Sequence, residues 1–304
     1  MDIKKLTKKK RNKMGVFSII VVVVLSLYAL SMIAPMIWAV ITSFKDFQND
    51  YSFNENIIGF PKPFYFKNYK TVFENFDTKV RHLDKTVTYV GFGRMVLYSI
   101  LYSVGCGFFS TFIPFVVGYA MGRYKFRFSG ILYGLIIVTM ALPIVGNLAS
   151  EVNMARTLRI YDTFPGIWLM SASFGGTYTL VFYASFKSIP AGYTEAAEID
   201  GASQLRIMFS VIFPLAIKVF MAVFLLKFIQ RWNEYETALV YLPTHPTIAY
   251  GLWAFNEETT PELSAAGIPG KLAACMVLLM PVLILFIIFQ DKLMGNVSMG
   301  GLKG

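Results

Sequence analysis

The stretch VFSIIVVVVLSLYALSMIAPMIWAVIT, residues 16–42, decides the fold class of this chain. It contains no charged residue, and about 20 apolar residues in a helix are enough to cross the hydrocarbon core of a bilayer. It is too long for the apolar core of a signal peptide, and no small-residue cleavage site closes it. We therefore predict an uncleaved first transmembrane helix at 16–42.

Five further apolar segments are long enough to span a bilayer as helices, which makes six predicted spans. The five are 95–121, 130–148, 164–186, 215–242 and 272–289. The composition agrees, because only 15% of the 304 residues are charged, whereas about 25% is usual in soluble domains. The predicted fold is an all-α polytopic membrane protein, with residues 16–290 as its transmembrane domain.

Lysine and arginine residues predict the orientation, because short cytoplasmic loops carry an excess of both. The N-terminal tail holds seven of them directly before the first span, and the loop after the second span holds Arg123, Lys125 and Arg127 without an acid. Both segments are therefore predicted to be cytoplasmic. The other predicted cytoplasmic segments are the loop at 187–214 and the tail at 291–304, the basic N-terminal tail being residues 1–15, and the predicted outer loops are 43–94 and 243–270.

The sequence carries no pattern typical of catalysis or metal binding. Its two histidines, His82 and His245, lie far apart in predicted outer loops and are expected at the surface. Cys106 and Cys275 fall inside apolar segments, where free thiols behave as small hydrophobic groups. The net charge of +10 is concentrated beside the first span, which favours a membrane surface over nucleic acid as its partner. We predict no catalytic residue, no metal site and no bound cofactor in this chain.

Residues 189–203, between the fourth and fifth predicted spans, have the pattern of a helix, a turn and a second helix that runs on to Pro214. Thr194 suits the N-cap of the first helix, and Glu195 then lies in the first turn, where the helix dipole favours an acid. Gly201 follows the last helical residue, at a position that favours a left-handed glycine. The residues alone leave open whether this hairpin docks a partner or is an ordinary interfacial hairpin.

The hairpin resembles the EAA loop of ABC importer permeases, which is cytoplasmic. The spacing of that pattern is kept at Glu195, Ala196, Ala197, Gly201, Val211, Phe213 and Pro214. Valine and phenylalanine replace the Ile and Leu of the family pattern near its end. The resemblance implies coupling to ATP-binding subunits through Glu195, Ala196, Ala197, Glu198, Asp200 and Gly201.

Three other stretches are similar to permeases of the carbohydrate-uptake family, in particular to the smaller subunit of maltose-type importers. They are 232–235, 247–252 and the C-terminal tail. In the second, Ala249 and Tyr250 replace the Pro and Val of the family stretch. The resemblance implies that the tail contacts the ATP-binding subunits through Met299, Gly300, Gly301, Leu302, Lys303 and Gly304.

This resemblance implies a non-catalytic permease subunit of a sugar importer in a bacterial plasma (inner) membrane, with both termini cytoplasmic. The implied partners are a second homologous permease, two ATP-binding subunits that hold ATP and Mg, and an external solute-binding protein. The transported sugar would be an oligosaccharide. An ABC permease for glycerol phosphate, an acidic oligosaccharide or an amino acid remains open, as does a channel or secondary transporter that works alone. An intramembrane enzyme is the alternative with the least support, because the sequence offers no set of catalytic residues.

Polar residues interrupt the predicted fifth span. Lys227, Arg231 and Glu234 lie at helical spacing on one face, with Gln230 and Asn233 beside them. Charged groups at such depth are costly and usually face a bundle interior or a wet cavity. A sugar pathway would provide that cavity. An Arg231–Glu234 pair that only locks helices together, with Lys227 satisfied by a partner subunit, would account for the same residues.

Overall fold

α-Helices make up most of this chain in the computed structural model, which describes residues 15–53, 55–82, 85–124, 127–142, 146–257 and 261–297. The helices are α1 (Val16–Ser43), α2 (Lys67–Asn75), α3 (Phe92–Arg123), α4 (Ser129–Ala141), α5 (Leu148–Thr157), α6 (Phe164–Met170), α7 (Thr177–Ser188), α8 (Gly192–Ile199), α9 (Gln204–Arg206), α10 (Phe213–Asn233), α11 (Glu236–Tyr241), α12 (Ile248–Glu257) and α13 (Pro261–Val297). Segments Phe47–Ser52 and Ile207–Ile212 are π-helical. The second of these joins α9 to α10 in one helical run, Gln204–Asn233.

Four described helices are long and apolar enough to cross a membrane. They are Val16–Ser43, Phe92–Arg123, Gln204–Asn233 and Gly267–Ile288. Long helices therefore occur where the first, second, fifth and sixth spans are predicted. The fifth ends earlier than predicted, at Asn233, because Glu234 is extended and α11 then begins a separate helix.

The predicted third span, 130–148, is shorter in the structure. Its helix α4 ends at Ala141, and Leu142 has an extended backbone, with φ −86° and ψ 117°. Leu142 precedes Pro143 in the sequence, and a residue before proline is driven away from the helical conformation by steric conflict with the proline ring. The proline that follows Leu142 in the sequence therefore accounts for the end of this helix.

The prediction of one continuous fourth helix at 164–186 is wrong. α6 ends at Met170, and α7 begins at Thr177. Gly176 separates the two helices with a φ of 112°, a conformation that glycine adopts at little cost and that cannot continue a right-handed helix. The segment is thus two short helices joined by a non-helical turn.

The prediction of an all-α fold is also wrong in one place, because the predicted outer loop at 43–94 contains a β-hairpin. Strands β1 (Asp77–Arg81) and β2 (Val87–Gly91) pair antiparallel. Thr78, Val80 and Val90 are buried on the inner face. Alternating burial together with β-branched side chains favours strands over helix.

Helix α3 is central to the unit formed by residues 70–261 and 277–297. It packs against α7 and α10 around a core that contains Phe115, Tyr119, Phe182, Phe186, Ile207, Ile212, Ala216 and Phe220. Gly118 permits this packing, because a Cβ there would lie 2.7 Å from the Cβ of Phe182. Small residues let membrane helices approach closely in this way.

The other unit comprises residues 15–69 and 262–276. Its helix α1 exposes its apolar side chains on every face from Val16 to Ile37. After α1 the chain folds back: the amide of Asn68 donates to the carbonyls of Ser43 and Lys45, at 2.9 and 2.8 Å. This part of the predicted outer loop is therefore ordered by hydrogen bonds between its own residues.

His245 is less exposed than predicted, since only 30% of its side chain is accessible. Its ring centre lies 5.1 Å from those of Tyr98 and Phe164, and its Nδ1 lies 3.2 Å from Oδ1 of Asp162. The hydroxyl of Thr244 donates to the same carboxylate at 2.5 Å. Burial acts to raise the pKa of Asp162, but the hydrogen bonds with His245 and Thr244 outweigh it and hold that pKa below its usual range.

Candidate functional site

The predicted hairpin folds as a short helix, a tight turn and the start of a long helix. We refer to residues 192–203 as the 192–203 hairpin. Gly201 lies in the turn with φ +75°, and the amide of Ala202 donates to the carbonyl of Ala197 at 3.0 Å. The predicted left-handed glycine is confirmed. Ser203 caps the next helix, since its hydroxyl accepts from the amide of Arg206 at 3.4 Å.

Two details of this prediction are wrong. Thr194 is not the N-cap, because α8 begins at Gly192 with Ala191 at the cap position. The amides of Thr194 and Glu195 already donate to the carbonyl of Ala191, at 2.9 and 3.1 Å, so Thr194 lies within the first turn. The second helix does not end at Pro214 either. That proline lies in the first turn of α10, after a π-helical segment, so the helical run continues without a break.

The 192–203 hairpin presents α8 on the surface. No residue of α8 is buried, although Ala197 packs against the edge of the core. Glu195 and Ala196 are exposed, and Ile199 is 87% exposed. The carboxylate of Glu195 forms no hydrogen bond or ion pair with any described residue. A free acid beside small residues and an exposed isoleucine suits the docking of another protein.

Glu198 is held differently from Glu195. Its carboxylate accepts from the amide of Gln204 at 3.0 Å, and the amide oxygen of Gln204 accepts from the hydroxyl of Tyr124 at 2.8 Å. These bonds tie α8 to the C-terminal end of α3. The sequence did not indicate the contact between Tyr124 and Gln204, because these residues are 80 positions apart.

At the far end of α10, the structure brings two of the predicted pathway residues together. Nη1 of Arg231 lies 2.7 Å from Oε2 of Glu234, 3.4 Å from the hydroxyl of Thr237 and 3.5 Å from that of Tyr102. Thr237 also donates to Glu234. The side chains of Arg231 and Glu234 are 21% and 27% exposed. We call these four residues the Arg231 cluster. Tyr102 joins it from α3, 129 residues away in sequence, so no sequence pattern indicated it.

The other three predicted pathway residues lie outside the Arg231 cluster. Nζ of Lys227 lies 3.4 Å from Oε1 of Gln230 and 4.7 Å from the ring centre of Tyr178. Gln230 and Asn233 are exposed, and the amide of Asn233 donates to the carbonyl of Ile229. The predicted polar stripe is thus divided into an internal ion pair and an exposed polar edge. Tyr178 is a further member of that edge that the sequence did not indicate.

The tail predicted to contact ATP-binding subunits, residues 299–304, lies outside the described residues, as do residues 1–14 of the basic tail. Within the described ranges, no group of three or more His, Cys, Asp or Glu side chains could hold a metal ion. The described candidate site thus consists of the exposed α8 before one end of a long helix and the polar Arg231 cluster at the other end.

The helical region that contains both features matches a known protein family. The model of the binding-protein-dependent transport system inner membrane component covers residues 115–297. The chain belongs to this family. The permease is therefore a multi-pass membrane component of an importer that works with a binding protein, and such subunits are transport components rather than catalysts.

Known relatives agree with this assignment. The permease is 24% identical to the diacetylchitobiose uptake system permease protein of Streptomyces coelicolor, over 91% of this chain and 86% of that protein. It is 29% identical to the trehalose transport system permease protein of Mycobacterium tuberculosis, over 73% and 84%.

The structural comparison covers nearly the whole chain as well. A chain of a bacterial ABC transporter involved in the import of the acidic polysaccharide alginate matches with a TM-score of 0.72 and 24% identity, over 90% of the permease and 95% of that chain. The permease therefore has the ABC transporter permease fold.

Proposed function

We propose that the permease forms half of the translocation pathway of a bacterial importer for sugars, oligosaccharides in particular, driven by ATP hydrolysis on separate subunits. One observation carries the proposal: in a member of this family, the exposed α8 presents the unpaired Glu195 directly before a membrane-spanning helix. The sugars named for the two relatives, diacetylchitobiose and trehalose, support a carbohydrate as the solute.

The coupling step proposed here uses the 192–203 hairpin as an EAA loop. The coupling residues are Glu195, Ala196, Ala197, Glu198, Asp200 and Gly201. Closure of the ATP-binding subunits moves α8, and Gln204–Asn233 follows that motion. This helix has 30 residues and is about 45 Å long, so it connects the two sides of the membrane. The moving element has two discrete arrangements, and ATP favours one of them.

The proposed topology has six membrane crossings and both termini in the cytoplasm. Four long helices supply four crossings, and α4 and the broken pair α6–α7 supply the other two. Broken helices are tolerated at membrane depth when they face protein or water. Arg123 and Arg127, beside the short α3–α4 connection, favour a cytoplasmic location for that side. The membrane is the bacterial plasma (inner) membrane.

The proposed complex contains a second homologous permease, two ATP-binding subunits and an external solute-binding protein. ATP and Mg belong to the ATP-binding subunits, which residues 299–304 also contact. Helix α1 supports a large assembly, because an apolar helix that is exposed on every face within its own chain requires lipid or another protein to cover it.

The exposed polar edge of α10 is the proposed sugar contact in this chain. Gln230 and Asn233 offer amide groups, which suit hydroxyl ligands, and Tyr178 offers a ring face and a hydroxyl. Arg231 and Glu234 border this edge and hold its helix in place. Asn233→Ala should therefore weaken transport, or change which sugars stimulate ATP hydrolysis, while leaving the complex assembled.

A second candidate solute is an acidic sugar. The ammonium group of Lys227 has no carboxylate partner among the described residues, and Glu234, which follows on the same helix face, is paired with Arg231. A positive charge without a carboxylate partner, placed on the pathway surface, would attract the carboxylate or phosphate of a solute. Lys227→Met should lower uptake of an acidic sugar and leave a neutral one unaffected, so competition between the two classes separates the candidates.

The experiment that tests the proposed function is reconstitution in vesicles with the partner permease, the ATP-binding subunits and the binding protein. Sugar uptake should require all of them and ATP. Glu195→Lys should abolish uptake while the permease still inserts, because reversing the charge disrupts an ion pair at the docking surface. Uptake by the permease alone, without ATP-binding subunits, would contradict the proposal.

Glu236→Lys is the matched control. Glu236 is also an exposed acid in the first turn of a short helix, but it follows the opposite end of Gln204–Asn233. The same charge reversal there should leave ATP-coupled uptake largely intact. Equal uptake by both variants at equal expression would show that Glu195 does not couple the subunits.

A further inference from the structure

A cavity of about 770 Å³ lies where the C-terminal end of α3, the start of α4 and the end of α7 meet. Its polar lining comprises Arg123, Arg127, Lys187, Tyr124, Ser129 and Ser188. No aspartate or glutamate lines it. Neither the docking of α8 nor the polar edge of α10 uses this cavity.

The three cations of the cavity have no acidic partner among the described residues. Nε and Nη2 of Arg123 are buried and form no hydrogen bond with any residue that the structure describes. The ammonium group of Lys187 contacts Tyr183, with its Nζ 3.4 Å from the hydroxyl and 5.5 Å from the ring centre. Leaving buried donors of a charged group unpaired is costly, so this arrangement suits an anionic ligand.

The position of the cavity indicates where that anion comes from. Arg123 is the last residue of a helix long enough to cross the membrane, so the cavity opens at the membrane boundary. Tyr124 and Tyr183 line it as well, and tyrosine is enriched at the level of lipid headgroups. The cytoplasmic leaflet carries anionic lipids, and basic pockets between spanning helices on that side bind their headgroups.

We propose that this cavity binds the phosphate headgroup of an anionic phospholipid from the cytoplasmic leaflet. The guanidinium of Arg123 supplies charge-assisted hydrogen-bond donors for phosphate oxygens. Arg127 and Lys187 add positive charge, and the hydroxyls of Ser129 and Ser188 are further donors. Both acyl chains remain in the membrane, beside the exposed apolar residues of α4.

Bound lipid also has a consequence for coupling, and this part rests on the proposed function. Ile189, Pro190 and Ala191 form one wall of the cavity and lead directly into α8. A lipid that fills the cavity restricts the start of α8. Anionic lipid should therefore increase ATP-coupled uptake as well as bind.

The test uses the full-length permease purified in a neutral detergent. Phosphatidylglycerol should remain bound in native mass spectrometry and raise the melting temperature, whereas phosphatidylcholine should do neither. Arg123→Gln should weaken phosphatidylglycerol binding by about tenfold, the loss expected for one charge-assisted contact. Arg127→Gln, at an exposed position where folding is not at risk, should weaken it in the same direction.

The matched control is Arg206→Gln, which removes an exposed arginine from the proposed cytoplasmic side but outside the cavity. It should bind phosphatidylglycerol as the wild type does. Equal binding of the two lipids, or wild-type binding by both cavity variants, would overturn the proposal. Protection by inorganic phosphate alone to the same extent would identify a free-phosphate site, which also overturns it.

A last comparison separates lipid binding from coupling. Glu195→Lys should still bind phosphatidylglycerol. Lipid binding therefore tests the cavity proposal even if the coupling proposal fails. In the assembled complex, a cross-link from residue 123 to an acidic residue of an ATP-binding subunit, together with loss of the lipid, would show that the cavity docks protein and would refute a lipid site.

Discussion

Glu195 precedes the helix Gln204–Asn233 and Glu234 follows it, and the two carboxylates differ in exposure and in hydrogen bonding. At the N-terminal end, Glu195 is exposed and has no partner among the described residues. At the C-terminal end, Glu234 is bound by Arg231 and Thr237. The sequence singled out both acids as functional candidates. The difference shows that an acid satisfied within its own chain supports the fold, whereas one left free is available to another molecule.

Solvation explains why the carboxylate of Glu195 can stay unpaired whereas that of Glu234 needs a partner. A carboxylate at an exposed surface stays hydrated, so Glu195 can remain unpaired without destabilising the chain. A carboxylate placed within a membrane protein away from water is costly unless it is paired. The pairing of Glu234 with Arg231 is therefore a condition for placing polar residues at that end of α10, next to the proposed sugar contact.

The largest effect on stability is expected from Arg231→Met. Removing the arginine leaves Glu234 partly buried without its charge partner and should lower the free energy of unfolding by up to about 3 kcal/mol, the low end for a buried pair because both side chains are partly exposed. Thermal unfolding of the purified permease measures this change.

The double variant Arg231→Met/Glu234→Met serves as its control. It removes both charges and should recover most of the lost stability. A double variant less stable than Arg231→Met alone would show that the pair is not what stabilises this end, and the contrast between the two ends would fail.

A smaller effect is expected at Gly201. Valine there should cost about 1–2 kcal/mol, because an L-residue in a left-handed conformation brings its Cβ close to the backbone. No atom lies within 4 Å of a Cβ built at this position, so crowding does not contribute. Coupled uptake by Gly201→Val should fall. Asparagine tolerates this conformation better, so Gly201→Asn should retain more uptake; equal loss in both variants would point to a contact made by the glycine itself.

A still smaller effect is expected from Gln204→Met, which breaks the bonds joining Tyr124 to Glu198. The loss should be about 0.5–1 kcal/mol, the low end for two hydrogen bonds because both are exposed to solvent, and confined to α8. Hydrogen exchange of the α8 amides should accelerate, while exchange in the core of α3 stays unchanged. Glu198→Gln keeps an acceptor for Gln204 and is the matched control; identical acceleration in it would mean that the carboxylate charge, not the hydrogen bond, holds α8.

The smallest change in stability is expected from Glu195→Lys. An exposed residue without partners should alter the free energy of unfolding by no more than about 0.5 kcal/mol. The purified variant should therefore melt at nearly the wild-type temperature even though its uptake is lost. A large drop in melting temperature would show that Glu195 supports the fold, as Glu234 does, and would remove the distinction between the two ends.

The sequence by itself determined the features that depend on neighbouring residues. A run of about 20 apolar residues defines a membrane helix because burial in lipid depends on composition over that length. The turn at Gly201 was predictable because a left-handed residue after a short helix favours glycine whatever lies around it. The spacing of the 192–203 hairpin likewise involves residues close together in the chain.

The tertiary structure alone decided which distant residues meet. The pairing of Arg231 with Tyr102, the contact of Tyr124 with Gln204, and the convergence of Arg123 and Lys187 on one cavity join residues far apart in sequence. Packing of α3 against α7 and α10 creates these contacts. No periodicity along a single segment encodes them, because their geometry depends on how close the helices approach and on which faces they turn toward one another.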